Sequence, residues 1–302
     1  MQTPWGDVEV WDAHVHYFSR PFFQSLAAQS GRSVEEIGGA LAWQVPADGG
    51  GLASKWLAEL DRHGVSGACL IASIHGDEGS VIDAVRQSPG RFAGYFMLNP
   101  TAPDAAERVR AALAGGLRTV CLFPAMHCYS VQDARVQPVL EAVANHPGTA
   151  LFVHCGVLTV GVRKKLGLPS PFDMRYSNPI DLHAVALRYP RVNFVVPHFG
   201  AGYFREALML ADMCPNVYLD TSSSNSWLKY QPSTMDLRQV FRRALDVLGP
   251  TRLLFGTDSS FFPRGWHRTV FDDQARCLWE LGVGAADARL IFGGNLQRMQ
   301  IP

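Results

Sequence analysis

Eight short apolar segments, each followed by a stretch with helical periodicity, constrain the fold of this chain most strongly. The segments read as nearly continuous apolar runs, such as ACLIA, TVCLF and NFVV. Strands covered on both faces have this pattern, whereas half-exposed antiparallel strands alternate apolar and polar residues. The predicted strands cover residues 8–13, 65–72, 92–99, 118–124, 150–155, 192–198, 217–221 and 253–258. The predicted helices cover residues 52–63, 78–87, 104–114, 131–145, 181–188, 203–213, 234–248 and 269–281.

Eight strand–helix units predict a (β/α)8 TIM-like barrel, formed by a single domain over residues 1–302. The length of 302 residues suits one barrel with insertions, because such barrels typically take about 250 residues. An open doubly wound sheet is the alternative, but no Gly-x-Gly-x-x-Gly motif follows the first predicted strand. Long segments follow predicted strands at 17–51, 156–180, 222–233 and 259–268. They predict long loops at the C-terminal face, where barrel enzymes build their active sites.

The composition narrows the class of protein further. Hydrophobic residues make up 47% of the chain and charged residues 18%, which favours a large folded core. Lys+Arg and Asp+Glu are both 27, so no basic surface for nucleic acid or an anionic membrane is expected. No secretory signal and no apolar run of about 20 residues are recognised, and no Cys-x-x-Cys occurs among the cysteines. We therefore expect a cytoplasmic protein with reduced thiols, and whether it forms a homo-oligomer stays open.

Histidines and an aspartate stand at the ends of four predicted strands. His14 and His16 follow the first strand, and residues two apart in an extended chain point to the same side. His154, His198 and Asp258 end the fifth, sixth and eighth predicted strands. Taken singly, each is also explained as a hydrogen-bonded structural residue or a helix cap. A barrel brings these strand ends together, and imidazole and carboxylate groups suit zinc and other transition metals, so the set predicts a metal site.

The same residues carry a family resemblance that spans nearly the whole chain. The segments DAHVH (12–16), His154, PHFG (197–200), FGTD (255–258) and IFGGN (291–295) resemble the amidohydrolase superfamily. They are most similar to the amidohydrolase-related branch that includes aminocarboxymuconate-semialdehyde decarboxylase and pyrone-dicarboxylate lactonase. The resemblance implies a distorted barrel whose metal ligands are His14, His16, His154 and Asp258. It also implies that His198 acts in catalysis or as a further ligand.

The fourth predicted strand departs from the pattern of the two-metal members of the superfamily. Those members use a carboxylated Lys or a Glu in this strand, whereas here it reads VCLFP, and Cys121 stands at roughly that position. We therefore expect one divalent ion, with zinc as the expected metal. Cys121 is interpreted as a core thiol, with a role as a ligand as the alternative.

Residues of the long loops are candidates for contact with the substrate. Arg175 lies in the loop after the fifth strand and is predicted to bind a substrate carboxylate by paired hydrogen bonds. A solvated surface arginine is the alternative, and the basic run at 163–165 is predicted to face solvent. Aromatic residues of the last two long loops either wall a pocket or pack the loops onto the barrel: Trp227, Tyr230, Phe261, Phe262 and Trp266.

The predicted chemistry follows from a cation and two protein groups acting on a small molecule. A divalent cation lowers the pKa of water to about 7, and Asp258 is placed to accept the proton that this water loses. His198 would polarise a substrate oxygen. This predicts a hydrolase of an ester, lactone or amide of a small carboxylated compound. The alternatives are non-oxidative decarboxylation of a small unsaturated or aromatic carboxylic acid, and a noncatalytic metal-stabilised protein.

Overall fold

Eight parallel strands form a nearly closed barrel in the computed structural model, which describes residues 1–223, 225–231 and 234–300. Each strand pairs with the next in sequence. The amide of Ala13 donates to the carbonyl of Phe255 at 2.8 Å, and that of His16 to Ser259 at 2.7 Å, so the last strand returns to the first. The barrel strands are β1 Trp11–Tyr17, β2 Gly67–Ala72, β3 Phe92–Leu98, β4 Thr119–Leu122, β5 Ala150–Val153, β6 Asn193–Val196, β7 Val217–Asp220 and β8 Leu253–Leu254.

Helices alternate with these strands. The α-helices are Arg20–Ser30, Val34–Leu41, Gly49–His63, Glu78–Gln87, Ala105–Ala114, Pro124–His127, Gln137–Ala144, Gly161–Lys165, His183–Arg188, Phe204–Met213, Leu237–Leu248, Arg268–Glu280, Ala285–Arg289 and Asn295–Gln300. Short 3-10 helices cover Met174–Tyr176, Pro179–Leu182, His198–Gly200, Ser226–Tyr230 and Pro250–Arg252, and a π-helix covers Leu290–Gly294. A small antiparallel hairpin pairs Gln2–Thr3 with Gly6–Asp7 ahead of the barrel. Among the described residues, no helix is both long and apolar enough to cross a bilayer.

Neighbouring residues of a strand belong to different buried clusters. Leu70 and Ala72 of β2 pack in the larger cluster with the helices, whereas Cys69 and Ile71 pack in a second cluster with Tyr95 and other barrel residues. This is the consequence of the two-residue period of a strand, which sends alternate side chains inward and outward. The C-terminal helix adds Leu296 and Met299 to the inner cluster. The barrel interior is therefore a packed core beneath its C-terminal mouth.

All eight predicted strands are present, but the first is displaced along the chain. It was predicted at 8–13 and is found at Trp11–Tyr17. Polar side chains interrupt its apolar pattern, although the backbone continues to pair with β2 through a register shift between Asp12 and Val15. His14 and His16 consequently lie within the strand, which holds their side chains more firmly than a loop would.

The segment 17–51, predicted as a loop, contains two helices and the start of a third. Arg20–Ser30 begins at Ser19, whose side chain accepts a hydrogen bond from Phe22 N, and a capping box of Ser33 and Glu36 begins Val34–Leu41. The two helices pack with the short helix Gly161–Lys165 in a third apolar cluster: Phe22, Phe23, Leu26, Ala27, Ile37, Leu41, Val162 and Leu166. Loops that follow β1 and β5 thus build one wall beside the barrel mouth.

Candidate active site

Three donor atoms from β1 and from the turn after β8 converge at the C-terminal mouth. His14 Nε2 lies 3.4 Å from His16 Nε2, and Asp258 Oδ1 lies 3.4 Å from His16 Nε2 and 3.7 Å from His14 Nε2. Nitrogen ligands bind zinc at about 2.0–2.1 Å, which puts two ligands of a tetrahedral ion roughly 3.4 Å apart. Their spacing fits one divalent cation, and the three residues form the described chain's candidate metal-binding group.

The opposite nitrogens of both histidines are already occupied. His14 Nδ1 lies 2.7 Å from Asp220 Oδ2, so this nitrogen carries the proton that it donates to the carboxylate. The hydroxyl of Ser73 donates to the carbonyl of Ile71 and lies 2.8 Å from His16 Nδ1, so it accepts from that ring. Each ring therefore presents the lone pair of Nε2 to the mouth, the arrangement that metal-binding histidines adopt.

Sequence reasoning missed Asp220 and Ser73, although a signal for both exists. Asp220 is the last residue of β7 and Ser73 directly follows β2, so both stand at strand ends of the same mouth. Both are buried, which isolates their hydrogen bonds from competing water. Their role depends on which histidine nitrogen each one reaches, and this is a property of the folded barrel.

Asp258 is held in an unusual backbone conformation. Its φ is 59°, in the left-handed region that residues with a side chain seldom occupy. Its amide donates to the carbonyl of His14 at 3.0 Å, which ties the turn to β1. Burial alone would raise the pKa of its carboxyl, but the close contacts with His16 and His14 outweigh that effect and hold the pKa well below its ordinary value. Asp258 is therefore an anion directed at the two histidines.

His198 and His154 lie next to this group. The ring centroid of His198 is 5.0 Å from that of His14 and 5.3 Å from that of His154. Burial is the main cause that lowers the pKa of both rings, so both are neutral. The Ser222 hydroxyl lies 2.9 Å from His198 Nδ1 and 3.0 Å from His14 Nδ1, which links the two histidines. His154 Nδ1 is buried without a hydrogen-bond partner among the described residues, and its role as a ligand stays a prediction.

These groups open into a cavity of about 440 Å³. Its walls include Phe18 and Trp43 from the loop after β1, and Trp227 and Tyr230 from the loop after β7. Positive side chains also line it: Lys165, Lys229 and Arg264. In the part of the chain that the structure describes, Asp258 is the one carboxylate of the lining. A cavity with this balance of charge favours an anionic ligand.

Three further residues from the sequence analysis lie outside the donor group: Arg175, Lys165 and Cys121. Arg175 does not line the cavity: its side chain is 82% exposed and bonds Asp173 through Nε and Nη2. Lys165 is exposed to solvent, as predicted, and also lines the cavity. Cys121 is fully buried in the inner barrel cluster, where burial raises the pKa of its thiol well above the ordinary value. Its environment is that of a core thiol.

Fold and site together define a (β/α)8 barrel with a candidate metal-binding donor group at its C-terminal mouth. The chain belongs to the amidohydrolase family, whose model matches residues 11–299. This confirms the resemblance carried by the strand-end motifs. The match extends from β1 to the C-terminal helix, so it includes every residue of the site described above.

Solved structures with the same fold cover almost all of the chain. An uncharacterized TIM-barrel protein from Bordetella bronchiseptica is 17% identical, with a TM-score of 0.65 over 97% of this chain and 98% of that one. An amidohydrolase from Burkholderia multivorans with bound zinc is 19% identical, with a TM-score of 0.63 over 97% and 99%. A putative 2-pyrone-4,6-dicarboxylic acid hydrolase from Pseudomonas putida is 19% identical, with a TM-score of 0.61 over 97% of each chain. At these identities the likeness concerns the fold.

A curated relative matches over a shorter segment. Protein fluG of Emericella nidulans is 39% identical over 88 residues, which are 29% of this chain. The match spans 10% of the length of that protein.

Proposed function

We propose that this protein is a metal-dependent hydrolase that adds water to an ester, lactone or amide of a small carboxylated molecule. The observation that carries the proposal is the convergence of His14 Nε2, His16 Nε2 and Asp258 Oδ1 within 3.4–3.7 Å, with both Nδ1 atoms already paired. Two imidazole nitrogens and a carboxylate oxygen this close, all directed at one point, are stabilised by a shared cation. The Pseudomonas putida neighbour, described as a hydrolase of a pyrone dicarboxylic acid, agrees with this class.

One divalent ion, zinc in our proposal, would be held by His14, His16 and Asp258, with His154 as a fourth ligand. The zinc in the Burkholderia multivorans neighbour supports the choice of metal. A bound divalent ion supplies a nucleophile at neutral pH by lowering the pKa of water to about 7. The thiol of Cys121 stands in β4, where a second ion would need a bridging carboxylate, so we propose a single ion.

The protein's own groups divide the proton transfers between them. Asp258 is ionised and exposed to the cavity on one side, so it accepts the proton of the attacking water and returns it to the leaving group. His198 is neutral and bonded at Nδ1 to Ser222, which orients Nε2 for contact with the substrate. Its place beside His14 suits it to polarise the carbonyl that is attacked.

Variants of Asp258 and His198 test these roles. Asp258→Asn preserves shape but removes charge and basicity, so we expect kcat to fall by about 100-fold or more and zinc affinity to fall as well. His198→Asn should lower kcat while one zinc per chain is retained. Zinc content and turnover are measured for both on a panel of carboxylated esters and lactones. Near wild-type kcat in both variants with zinc retained would overturn the roles, and two bridged ions per chain would overturn the single-ion site.

The same panel separates hydrolysis from decarboxylation. Hydrolysis incorporates one oxygen atom from solvent into the product, which mass spectrometry detects in labelled water. Release of carbon dioxide without that incorporation would assign the protein to decarboxylation instead.

A further inference from the structure

We infer that Arg264, in the loop after β8, is the residue that binds the anionic group of the substrate. The inference rests on the proposed function and extends it, because it identifies the residue of the same cavity that binds the substrate carboxylate. The substrate class that follows is a small carboxylate whose anionic end lies on the Asp258 side of the mouth.

The contacts of Arg264 place its guanidinium beside the candidate metal donors. Nη2 donates to the backbone carbonyl of Asp258 at 3.1 Å and to the hydroxyl of Ser260 at 2.9 Å. Both bonds use the same nitrogen, and among the described residues Nε and Nη1 have no hydrogen-bond acceptor. A guanidinium has five N–H donors in a planar fork, so this one keeps an edge for a carboxylate.

An aromatic stack supports the guanidinium. Arg264 Cζ lies 4.5 Å from the centroid of the Phe261 ring, and Phe261 stacks on Trp43 at 4.2 Å with 12° between the planes. Lys165 Nζ lies 5.9 Å from the Trp43 ring and adds a second positive charge along the same wall. Stacking on a ring removes water from one face of the guanidinium and narrows its orientations, which strengthens its hydrogen bonds to an anion.

The loop that carries Arg264 is anchored to two buried acids, one in β1 and one in the helix Gly49–His63. The indole Nε1 of Trp266 donates to Asp12 Oδ2 at 2.7 Å, and its backbone amide donates to Glu59 Oε1 at 3.0 Å. The amide of His267 donates to Ser259 Oγ at 2.8 Å. Asp12, Glu59 and Trp266 are all buried. Arg264 is therefore presented by a fixed loop, and little ordering is needed when a ligand binds.

Arg175 is the competing candidate, and its surroundings differ. Its fork is already paired with Asp173 at the surface. Exposed ion pairs of this kind contribute little free energy. Arg264 in contrast has an open edge, an aromatic support and a place in the cavity lining.

Binding of isophthalate, a dianion, is measured by calorimetry for the zinc-loaded and the metal-free protein, with neutral isophthalamide as the matched probe. Arg264→Gln should weaken isophthalate binding by about tenfold or more, because it removes the positive charge and the paired hydrogen-bond donors. Arg264→Lys should recover only part of the affinity, since a point charge does not replace the fork. Arg175→Gln and the surface control Arg205→Gln should bind isophthalate within about twofold of the wild type, and isophthalamide should not distinguish any variant.

Trp266→Phe tests the anchoring of the loop, with Trp279→Phe as an exposed control. It removes the bond to Asp12 while keeping an aromatic ring, so isophthalate should bind a few-fold more weakly with unchanged zinc affinity. Equal affinity in Arg264→Gln and the wild type, or a loss as large in Arg175→Gln, would overturn the inference. Because the metal-free protein is also measured, failure to bind zinc would count against the proposed function alone.

Discussion

Asp220 decides which nitrogen of His14 faces the cavity. A neutral imidazole has one protonated nitrogen, and the hydrogen bond to a carboxylate settles which one it is. Here the buried carboxylate accepts a hydrogen bond from the protonated Nδ1 and leaves Nε2 with the lone pair. Burial alone would raise the pKa of Asp220, but the contact with His14 outweighs it and lowers the pKa, so this residue stays ionised. A residue outside the candidate donor group thus determines which atom of His14 belongs to that group.

Asp220→Asn is expected to weaken zinc binding by about 10–100-fold, the usual cost of losing such an outer partner. The amide can donate to Nδ1 and favour the tautomer whose Nε2 carries a proton. Ser73→Ala, which removes the neutral partner of His16, serves as the comparison and should cost less. Competition with a fluorescent chelator gives both constants, and an unchanged zinc affinity in Asp220→Asn would contradict this account.

At the scale of elements, the junction between β8 and β1 positions the donors. The chain passes through Gly256 two residues after the end of β8, where β8, β1 and β7 approach closely. A Cβ at this position would lie 2.9 Å from Asp220 Oδ1 and 3.0 Å from the Cβ atoms of His14 and Ser222. All three neighbours belong to the site, so the absence of a side chain at 256 permits their approach.

Gly256→Ala is therefore expected to damage the site and the fold together. Overpacking of a buried position costs about 1–3 kcal/mol, and the displaced Asp220–His14 pair should lower zinc affinity as well. Gly39→Ala is the matched control, because position 39 lies in the exposed part of helix Val34–Leu41 with no atom within 4 Å of the added Cβ. That change should stabilise the protein by about 0.5–1 kcal/mol. Urea unfolding and zinc titration of both variants test this. Equal changes in the free energy of unfolding and in zinc affinity in the two variants would contradict it.

At the scale of the whole molecule, a histidine outside the site links stability to pH. Burial, and to a smaller degree the neighbouring His75, lowers the pKa of His127 to about 4. In the unfolded chain a histidine titrates near 6.5. Between these pH values His127 is protonated in the unfolded chain but not in the folded chain. The free energy of unfolding therefore falls as the pH drops from about 6.5 towards 4.

His127→Gln should make this loss smaller. The free energy of unfolding of variant and wild type is measured with urea at pH 7 and at pH 5, and the loss between the two pH values is calculated for each protein. A constant cost of the substitution cancels in this loss, and the contributions of other histidines cancel when the losses of the two proteins are compared. A loss between pH 7 and pH 5 as large as in the wild type would show that His127 does not carry this dependence.

The barrel and three metal-donor candidates followed from local features of the chain. Apolar runs of four to seven residues identify strands because burial on both faces excludes polar side chains. His14 and His16 share a face because of the two-residue period of a strand, and Asp258 stands out because it follows an apolar run. The same logic placed the start of β1 too early, since the polar residues that build the site interrupt the pattern used to find the strand.

The direction of loop side chains was decided only by the tertiary structure. Arg175 and Arg264 both occur in long loops after strands, and nothing in their local sequence distinguishes an arginine paired at the surface from one in the cavity. The difference arises because Trp266 reaches Asp12 and Glu59, which lie more than 200 positions away in the chain. The partners Asp220 and Ser73 likewise depend on closure of the barrel. The periodicity of apolar residues is a local property that can be identified in the sequence. The orientation of a loop depends instead on contacts that exist only after the chain has folded.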